Sequence, residues 1–487
     1  MAAERAVTLT APPAFLLPNL AEDGMEVAAP EEARLETVYH DTPDLRLARW
    51  GCGLWHRTGE GWTLQVPSAR GGPARRLTFA GPENRPPDEA LSLVRAYVRR
   101  APVRPVAHLS IWRRRLPLRN GAGAEVGAIV DDDVSVLQGR RVTDRFRELE
   151  VATPDGSASL LGPLVARLRE AGASPTDGSP AHHRALGPTA SLPEVEPRPL
   201  PSAPTAGDVI RAAVAASVTA FLRHDPGVRL GGDPEDVHQA RVALRRLRSN
   251  LRTFRGLLDR EWAQGLRDEA GWLGRKLGAV RDPEVLEDRL EHEIADLDPA
   301  DRRMAAGLTE RIEASIEAAR TELREAIDSD RYLDLVESLL DAAREPRLLP
   351  EAARPARDVL PGLARKPWRQ LRRAALELPH APPDDELHQL RILAKRARYA
   401  AEAVAPAAGQ DATRFARRAA RLQTVLGEHQ DSVVARAWLR AAAGAGRRAF
   451  VAGLLFGIEE GHGREARRVW PKAWRKLDRR RLRQWMG

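Results

Sequence analysis

The stretch HQARVALRRLR at 238–248 returns 150 residues later as HQLRILAKRAR at 388–398, and both histidines are followed by basic residues at offsets three, seven, eight and ten. On a helix of 3.6 residues per turn, offsets of zero, three, seven and ten fall at about 0°, 300°, 340° and 280°. His238, Arg241, Arg245 and Arg248 therefore share one face, as do His388, Arg391, Lys395 and Arg398. Each row is about 15 Å long, the rise of ten helical residues, and its cations are close enough to repel. Arg246, Arg252 and Arg396 add charge to the same helices. A basic helical face is ordinarily solvated and paired with acids at neighbouring positions. Here no acid occurs between Asp236 and Asp259, or between Glu386 and Glu402, so each row calls for an anion from outside itself.

A second element recurs with the first. LGAVRD at 277–282 and LGEHQD at 426–431 share leucine, glycine and aspartate, and Asp282 and Asp431 lie 44 and 43 residues after their histidines. The economical explanation is an internal duplication whose copies face each other about a pseudo-twofold axis, so that the two basic helices line one groove. Asp282 and Asp431 are expected to hold arginines of the rows or to cap helices that begin there.

A chain of 487 residues is too long for one core and suggests two or three domains. Its 77 Lys and Arg against 68 Asp and Glu give a formal charge of +9, mild overall but concentrated. From Gly461 onward there are ten basic residues, from Arg464 to Arg483, against Glu465 and Asp478, either an extension of the anion path or a solvated end. Cys52 is the one cysteine, which excludes an intrachain disulfide and a thiolate metal cluster. Without a signal-like N-terminus or an apolar run of 18 residues, the expectation is a cytoplasmic protein with no membrane partner. The abundance of glycine and proline with few lysines resembles the usage of GC-rich bacterial genomes.

Residues 1–171 carry alternating runs such as GEGWTLQVP at 59–67 and AEVGAIVDDDVSV at 124–136, an antiparallel sheet pattern with helices at 87–99 and 158–170. Residues 172–207 hold so many prolines and glycines that an extended linker is expected, with His182 and His183 incidental to it. From 208 to 487 the pattern is helical throughout, with short loops, which predicts an all-α domain of paired bundles. Trp262, Trp272 and Trp368 follow its apolar faces and are expected in the core.

Nucleic acid is the first polyanion to weigh, but paired zinc ligands and an aromatic RNA-binding strand are absent, and aromatics are only 5% of the chain. Two facing basic rows suit a flexible, phosphate-dense strand without bases, gripped by guanidinium forks and a mobile ammonium. His238 and His388 stand at the N-terminal ends of the rows, where they can donate to phosphate. Through the two HQxR helices, LGAVRD and LGEHQD, residues 208–487 resemble the CHAD (conserved histidine alpha-helical) family. That resemblance implies two similar bundles binding inorganic polyphosphate along a basic central groove. The site it implies comprises His238, Arg241, Arg245, Arg246, Arg248, Arg252, His388, Arg391, Lys395, Arg396 and Arg398.

YHDTPDLRLARWGCGLWHRTGEGWTLQVP at 39–67, with WRRR at 112–115, VDDDVSV at 130–136 and FRELEV at 146–151, resembles the CYTH domain of the triphosphate tunnel metalloenzymes. The resemblance implies an antiparallel tunnel or barrel in which basic residues hold triphosphate and carboxylates hold Mg2+ or Mn2+. The opening Glu-x-Glu-x-Lys element is reduced to Glu4, Ala6 and Thr8, the strand lysine is Gln65, Arg-x-Glu has become Arg75 and Leu77, and Ala152 stands where a last glutamate is usual. What remains is a weakened metal set, Glu4, Asp131, Asp133, Glu148 and Glu150, and residual anion contacts at Arg57, Arg75, Arg113 and Arg115.

The leading expectation is noncatalytic binding of inorganic polyphosphate, with association to polyphosphate granules and no cofactor required. One alternative is a triphosphatase or polyphosphatase using Mg2+ or Mn2+ in the N-terminal domain. The other is an RNA- or ribosome-associated scaffold using the basic tail.

Overall fold

The computed structural model describes residues 5–20, 25–153, 158–176, 181–196 and 198–486. The chain divides into two compact units, Met1–Glu194 and Val195–Gly487.

The first unit is built on ten strands, β1 Arg5–Ala11, β2 Met25–Val27, β3 Glu31–Asp41, β4 Gly53–Arg57, β5 Gly61–Val66, β6 Arg75–Phe79, β7 Arg104–Asn120, β8 Glu125–Gln138, β9 Arg141–Thr153 and β10 Ser174–Pro175. They form one sheet in the order β10-β1-β9-β8-β7-β3-β4-β5-β6, with β2 paired to β7 off that path. The end strands β10 and β6 do not pair with each other, so the sheet is open, which corrects the expected closed tunnel or barrel. A two-residue strand offers too few backbone groups to close a ladder.

Among the described residues, five α-helices accompany the sheet: α1 Arg46–Arg49, α2 Asp88–Leu93, α3 Arg95–Val98, α4 Ala158–Glu170 and α5 Ala181–Leu186. Alternation along the strands gives the sheet two apolar faces. On one, Leu9, Ile129, Leu149 and Val151 pack with Leu164 and Leu168 of α4. On the other, Tyr39, Trp55, Leu109, Ile111, Val134 and Phe146 cluster, with Ala185 of α5 against them.

Helix α5 comes from the segment expected to be a free linker. His182 is buried, its ring stacked 4.8 Å from that of Tyr39, and burial pushes its pKa down to about 3. Beyond α5, Glu194 forms a buried pair with Arg99 at 2.6 Å and accepts from Trp50 Nε1 at 2.8 Å. The residues through Glu194 therefore belong to the first unit. Prolines had masked this, because a docked segment can be held by a few buried anchors without any periodic pattern.

The second unit contains α6 Ala206–Leu230, α7 Pro234–Thr253, α8 Arg260–Ala295, α9 Pro299–Ile327 and α10 Asp330–Arg344, followed by α11 Ala356–Val359, α12 Arg365–Glu377, α13 Asp384–Ala442 and α14 Arg447–Leu477. These make two helical bundles related by pseudo-symmetry. Their starts are written in the sequence: Thr205 and Asp208 form a reciprocal cap on α6, Asp233 precedes Pro234 at the start of α7, and Asp259 accepts from the Trp262 amide on α8.

The copies differ at one joint. In the first, residues 254–259 separate α7 from α8; in the second, the Asp384–Ala442 span labelled α13 is two helices meeting at Gly409, whose non-helical φ of 72° and ψ of −156° fit glycine and turn the chain back so that His388 reaches Gln430. Arg260–Ala295 is one continuous helix with Pro283 inside it. Asp282 and Asp431 are consequently mid-helical, and the capping role expected as their alternative does not apply. Of the three tryptophans, Trp368 is buried against Trp474 and Phe415, whereas Trp262 and Trp272 are only half-buried and Arg331 lies over the Trp272 ring.

Candidate functional site

The central feature of the helical unit is a cleft of about 470 Å3 between the copies, with His238, Arg241 and Arg245 of α7 and His388, Arg391 and Lys395 of α13 in its lining. An adjoining cleft of about 500 Å3 continues along α7 to Arg248 and shares Arg241, Arg245, Asp282 and Lys395 with the first. The two basic rows thus meet. Their charges feel one another: burial first, then Arg391, Arg245 and Arg241, pull the Lys395 ammonium down to about 8. His238 is also held below the usual histidine range, by burial and by the neighbouring Arg281, Arg245 and Arg241 against the pull of Glu235.

Carboxylates in the cleft are few. Asp282 accepts from Arg241 at 2.6 and 3.3 Å, and Asp431 lies 4.0 Å from Arg391, which is the arginine-holding role expected of both. His388 Nδ1 sits 2.6 Å from Gln430 Oε1. The duplicated glycines explain how guanidinium groups lie flat against the opposing helix. A Cβ at Gly278 would come within 3.3 Å of Arg241, one at Gly271 within 3.2 Å of Arg248, and one at Gly427 within 3.6 Å of Arg391.

After these contacts the cleft still holds unmet donors. The Nε atoms of Arg245, Arg248 and Arg391 are buried without a hydrogen-bond acceptor, as are those of Arg267 and Arg281 on α8. Buried guanidinium donors normally find acceptors, which makes a row of unmet ones unusual. Arg252 extends this end: burial, then Arg267, Arg396, Arg248 and Arg255, hold its pKa below the usual arginine range.

Not every expected residue points inward. Arg246, at offset eight, is turned toward Glu402 at 3.8 Å and lines a different cavity beside Tyr399. Arg398 is bound by Glu402 at 2.6 Å and lies over the Tyr399 ring. Arg396 is exposed at the rim near Arg252. Sequence reading missed the contribution of α8, where Arg275, Arg281 and Arg289 line the clefts. The readable signal was the glycine spacing 271, 274 and 278, which clears one face of α8 beneath the arginines.

The basic tail forms its own cavity, about 810 Å3, where Lys476, Arg479 and Arg481 meet Arg414, Arg417 and Arg418. It shares no lining residue with the central clefts.

In the first unit the residual acids do not form one set. Glu4 lies outside the described residues. Register pairs Asp132 with Glu148 and with Arg113, so these three share a face, and Glu150 shares it too; Asp131 and Asp133 project from the opposite face. Asp131 is fully buried there, fixed by Arg147 at 2.6 and 2.7 Å and by Arg114 at 2.5 Å. The expected metal set of Asp131 and Asp133 with Glu148 and Glu150 is therefore split by the sheet. A run of three aspartates hid the choice, because one position of register decides which of them faces inward.

The cations divide in the same way. Arg75 pairs with Val66 across the ladder and Arg76 with Gln65, placing Arg76 rather than Arg75 on the face that carries Arg57 and Arg113. Arg57 is held by Thr37 and Glu60, Arg113 bidentately by Asp132 at 2.8 and 2.7 Å, and Arg115 by Glu31 and Glu125. On that face Arg184 of α5 donates to Thr10 at 2.7 Å and lies 4.0 Å from Glu148, whose carboxyl is raised by burial despite this cation.

Residues 212–440 match the CHAD domain. Two uncharacterized proteins of Mycobacterium tuberculosis, from strains CDC 1551 / Oshkosh and ATCC 25618 / H37Rv, are each 33% identical over 486 residues, covering 92% of this chain and 90% of the relative. The chain belongs to this family of CHAD-domain proteins. Among solved structures, PptA from Streptomyces chartreusis is similar at 26% identity, covering 56% of this chain and 99% of its own, with a TM-score of 0.47. The CHAD domain from the plant Ricinus communis is similar at 23% identity, covering 60% and 95%, with a TM-score of 0.42. The CHAD match spans both HQxR helices and both clefts, from α6 into the last turns of α13. The tail cavity draws Lys476, Arg479 and Arg481 from beyond it. Among the described residues no helix is long and apolar enough to cross a membrane.

Proposed function

We propose that this CHAD-domain protein binds inorganic polyphosphate along the cleft between its helical bundles and does not hydrolyse it. The carrying observation is the contrast between the two units. On the sheet face Arg57, Arg113 and Arg115 already have carboxylate partners, whereas the buried Nε atoms of Arg245, Arg248 and Arg391 in the cleft have no acceptor. A polymer with one charge per phosphate and no bases fits a narrow cleft that lacks stacking surfaces. The first unit is read as a CYTH-like sheet that has lost its catalytic set. Recruitment to polyphosphate granules in the cytoplasm is the cellular expression of the same binding.

Reversing charge at Arg245 and Arg391 together removes two charge-assisted contacts, each worth about 1.5–3 kcal/mol, so affinity for long polyphosphate should fall at least about 100-fold. Fluorescence anisotropy with end-labelled polyphosphate measures this, and wild-type affinity in the double variant would place the polymer elsewhere. An RNA competitor at matched phosphate concentration should displace the polymer poorly; efficient displacement would favour the nucleic-acid scaffold. Incubation with tripolyphosphate, nucleoside triphosphates and Mg2+ or Mn2+ should release no phosphate above the buffer control. Turnover abolished by Glu148→Ala would instead establish a working hydrolase in the first unit.

A further inference from the structure

Away from the polymer-facing donors, Glu293 of α8 and Glu459 and His462 of α14 bring three ligand atoms within 4.8 Å of one another. Glu459 is completely buried and Glu293 nearly so. Both Glu293 oxygens are buried without a close hydrogen bond; their neighbours are His462 Nδ1, 3.4 Å from Oε1, and the Glu459 carboxyl, a costly setting for a carboxyl group. Spacing assists, since Glu459 and His462 are three apart on one helix and so share a face, while Glu293 reaches them from a second helix.

The distances suit a small cation. His462 Nδ1 lies 3.4 Å from Glu293 Oε1 and 3.7 Å from Glu459 Oε2. Ligands about 2.0–2.1 Å from a tetrahedral ion stand about 3.3 Å apart, so modest closure would complete three corners and leave the fourth to water or to Glu428. The local charge is right as well. Arg289 is the cation facing the group; it binds Glu459 through Nε and Nη2, Glu428 at 2.7 Å, and approaches His462 Nδ1 at 3.1 Å. One guanidinium thus confronts three carboxylates, those of Glu293, Glu428 and Glu459.

We infer that Glu293, Glu459 and His462 form a binding site for a divalent transition metal, of the class that accepts mixed imidazole and carboxylate donors, Zn2+ foremost. The site stands independently of the polyphosphate reading, because none of its three ligands lines the clefts. Arg289 does line one of them, and loading the site requires that side chain to release His462 Nδ1 and the Glu459 oxygen that takes the ion.

The test uses the full chain, stripped with chelator and titrated with Zn2+ by calorimetry, with bound metal counted by mass spectrometry after desalting. One equivalent per chain is expected. His462→Ala removes a half-exposed ring and should leave the fold intact by circular dichroism while weakening binding at least about tenfold, the loss of one ligand. Glu293→Gln should do the same. Cobalt substitution adds a spectroscopic reading: a visible absorption band in the wild-type chain that His462→Ala abolishes. Failure of the wild-type chain to bind one equivalent, or undiminished binding and an unchanged cobalt band in folded His462→Ala, overturns the site.

Discussion

Lys395 sits where both basic rows converge, and its ammonium has been pulled down to about 8 by burial and by Arg391, Arg245 and Arg241. A bound phosphate favours the charged form and raises that value in the complex. The sign follows: polymer affinity is full below about pH 8 and declines as pH rises from there toward the higher value of the complex. Each unit of separation between free and bound pKa is worth about tenfold. Anisotropy titrations from pH 7 to 9.5 should therefore show a loss of up to about tenfold that Lys395→Arg removes, since arginine stays charged throughout. Arg246 supplies the control, for it turns toward Glu402, and Arg246→Glu should leave affinity within about twofold. Arg246 was expected among the polyphosphate-binding residues, but offset eight falls about 80° round the helix from the histidine, and the side chain turns toward Glu402. Arg398 departs from the arithmetic because Glu402, one turn along the same helix, captures it.

Among the elements, the repeated motifs and the capped helix starts were readable from sequence because they are local: an Asp before a Pro, a basic residue every half-heptad. What escaped were features set by partners distant in the chain. Register in β8 chooses among Asp131, Asp132 and Asp133, and only the pairing with β7 and β9 determines it. The proline-rich segment after β10 looked free, yet α5 carries His182 into the sheet and Glu194 closes the Arg99 pair. Limited proteolysis should therefore cut at 198–204 in preference to 181–194. Glu194→Ala, which strands Arg99 in a buried position, should cost about 3–5 kcal/mol and expose the segment to cleavage. Unchanged thermal stability and an uncut segment in that variant would mean the pair does not anchor it.

For the molecule as a whole, binding that rests on many phosphate contacts should weaken steeply with salt and strengthen with polymer length until the clefts are filled. Single reversals at Arg245 or Arg391 should together account for less than the double variant loses, because the surviving row still holds the polymer in the singles. Strictly additive losses would mean that the rows bind separate ligands. The Gly409 bend gives the two-copy cleft a further meaning. Where the first copy turns through residues 254–259, the second turns at Gly409, so the halves have diverged in their joints while keeping the walls they present to each other. Such a cleft is a symmetric dimer interface written into one polypeptide. With both walls in one chain, their meeting is intramolecular, and each wall can change without its twin.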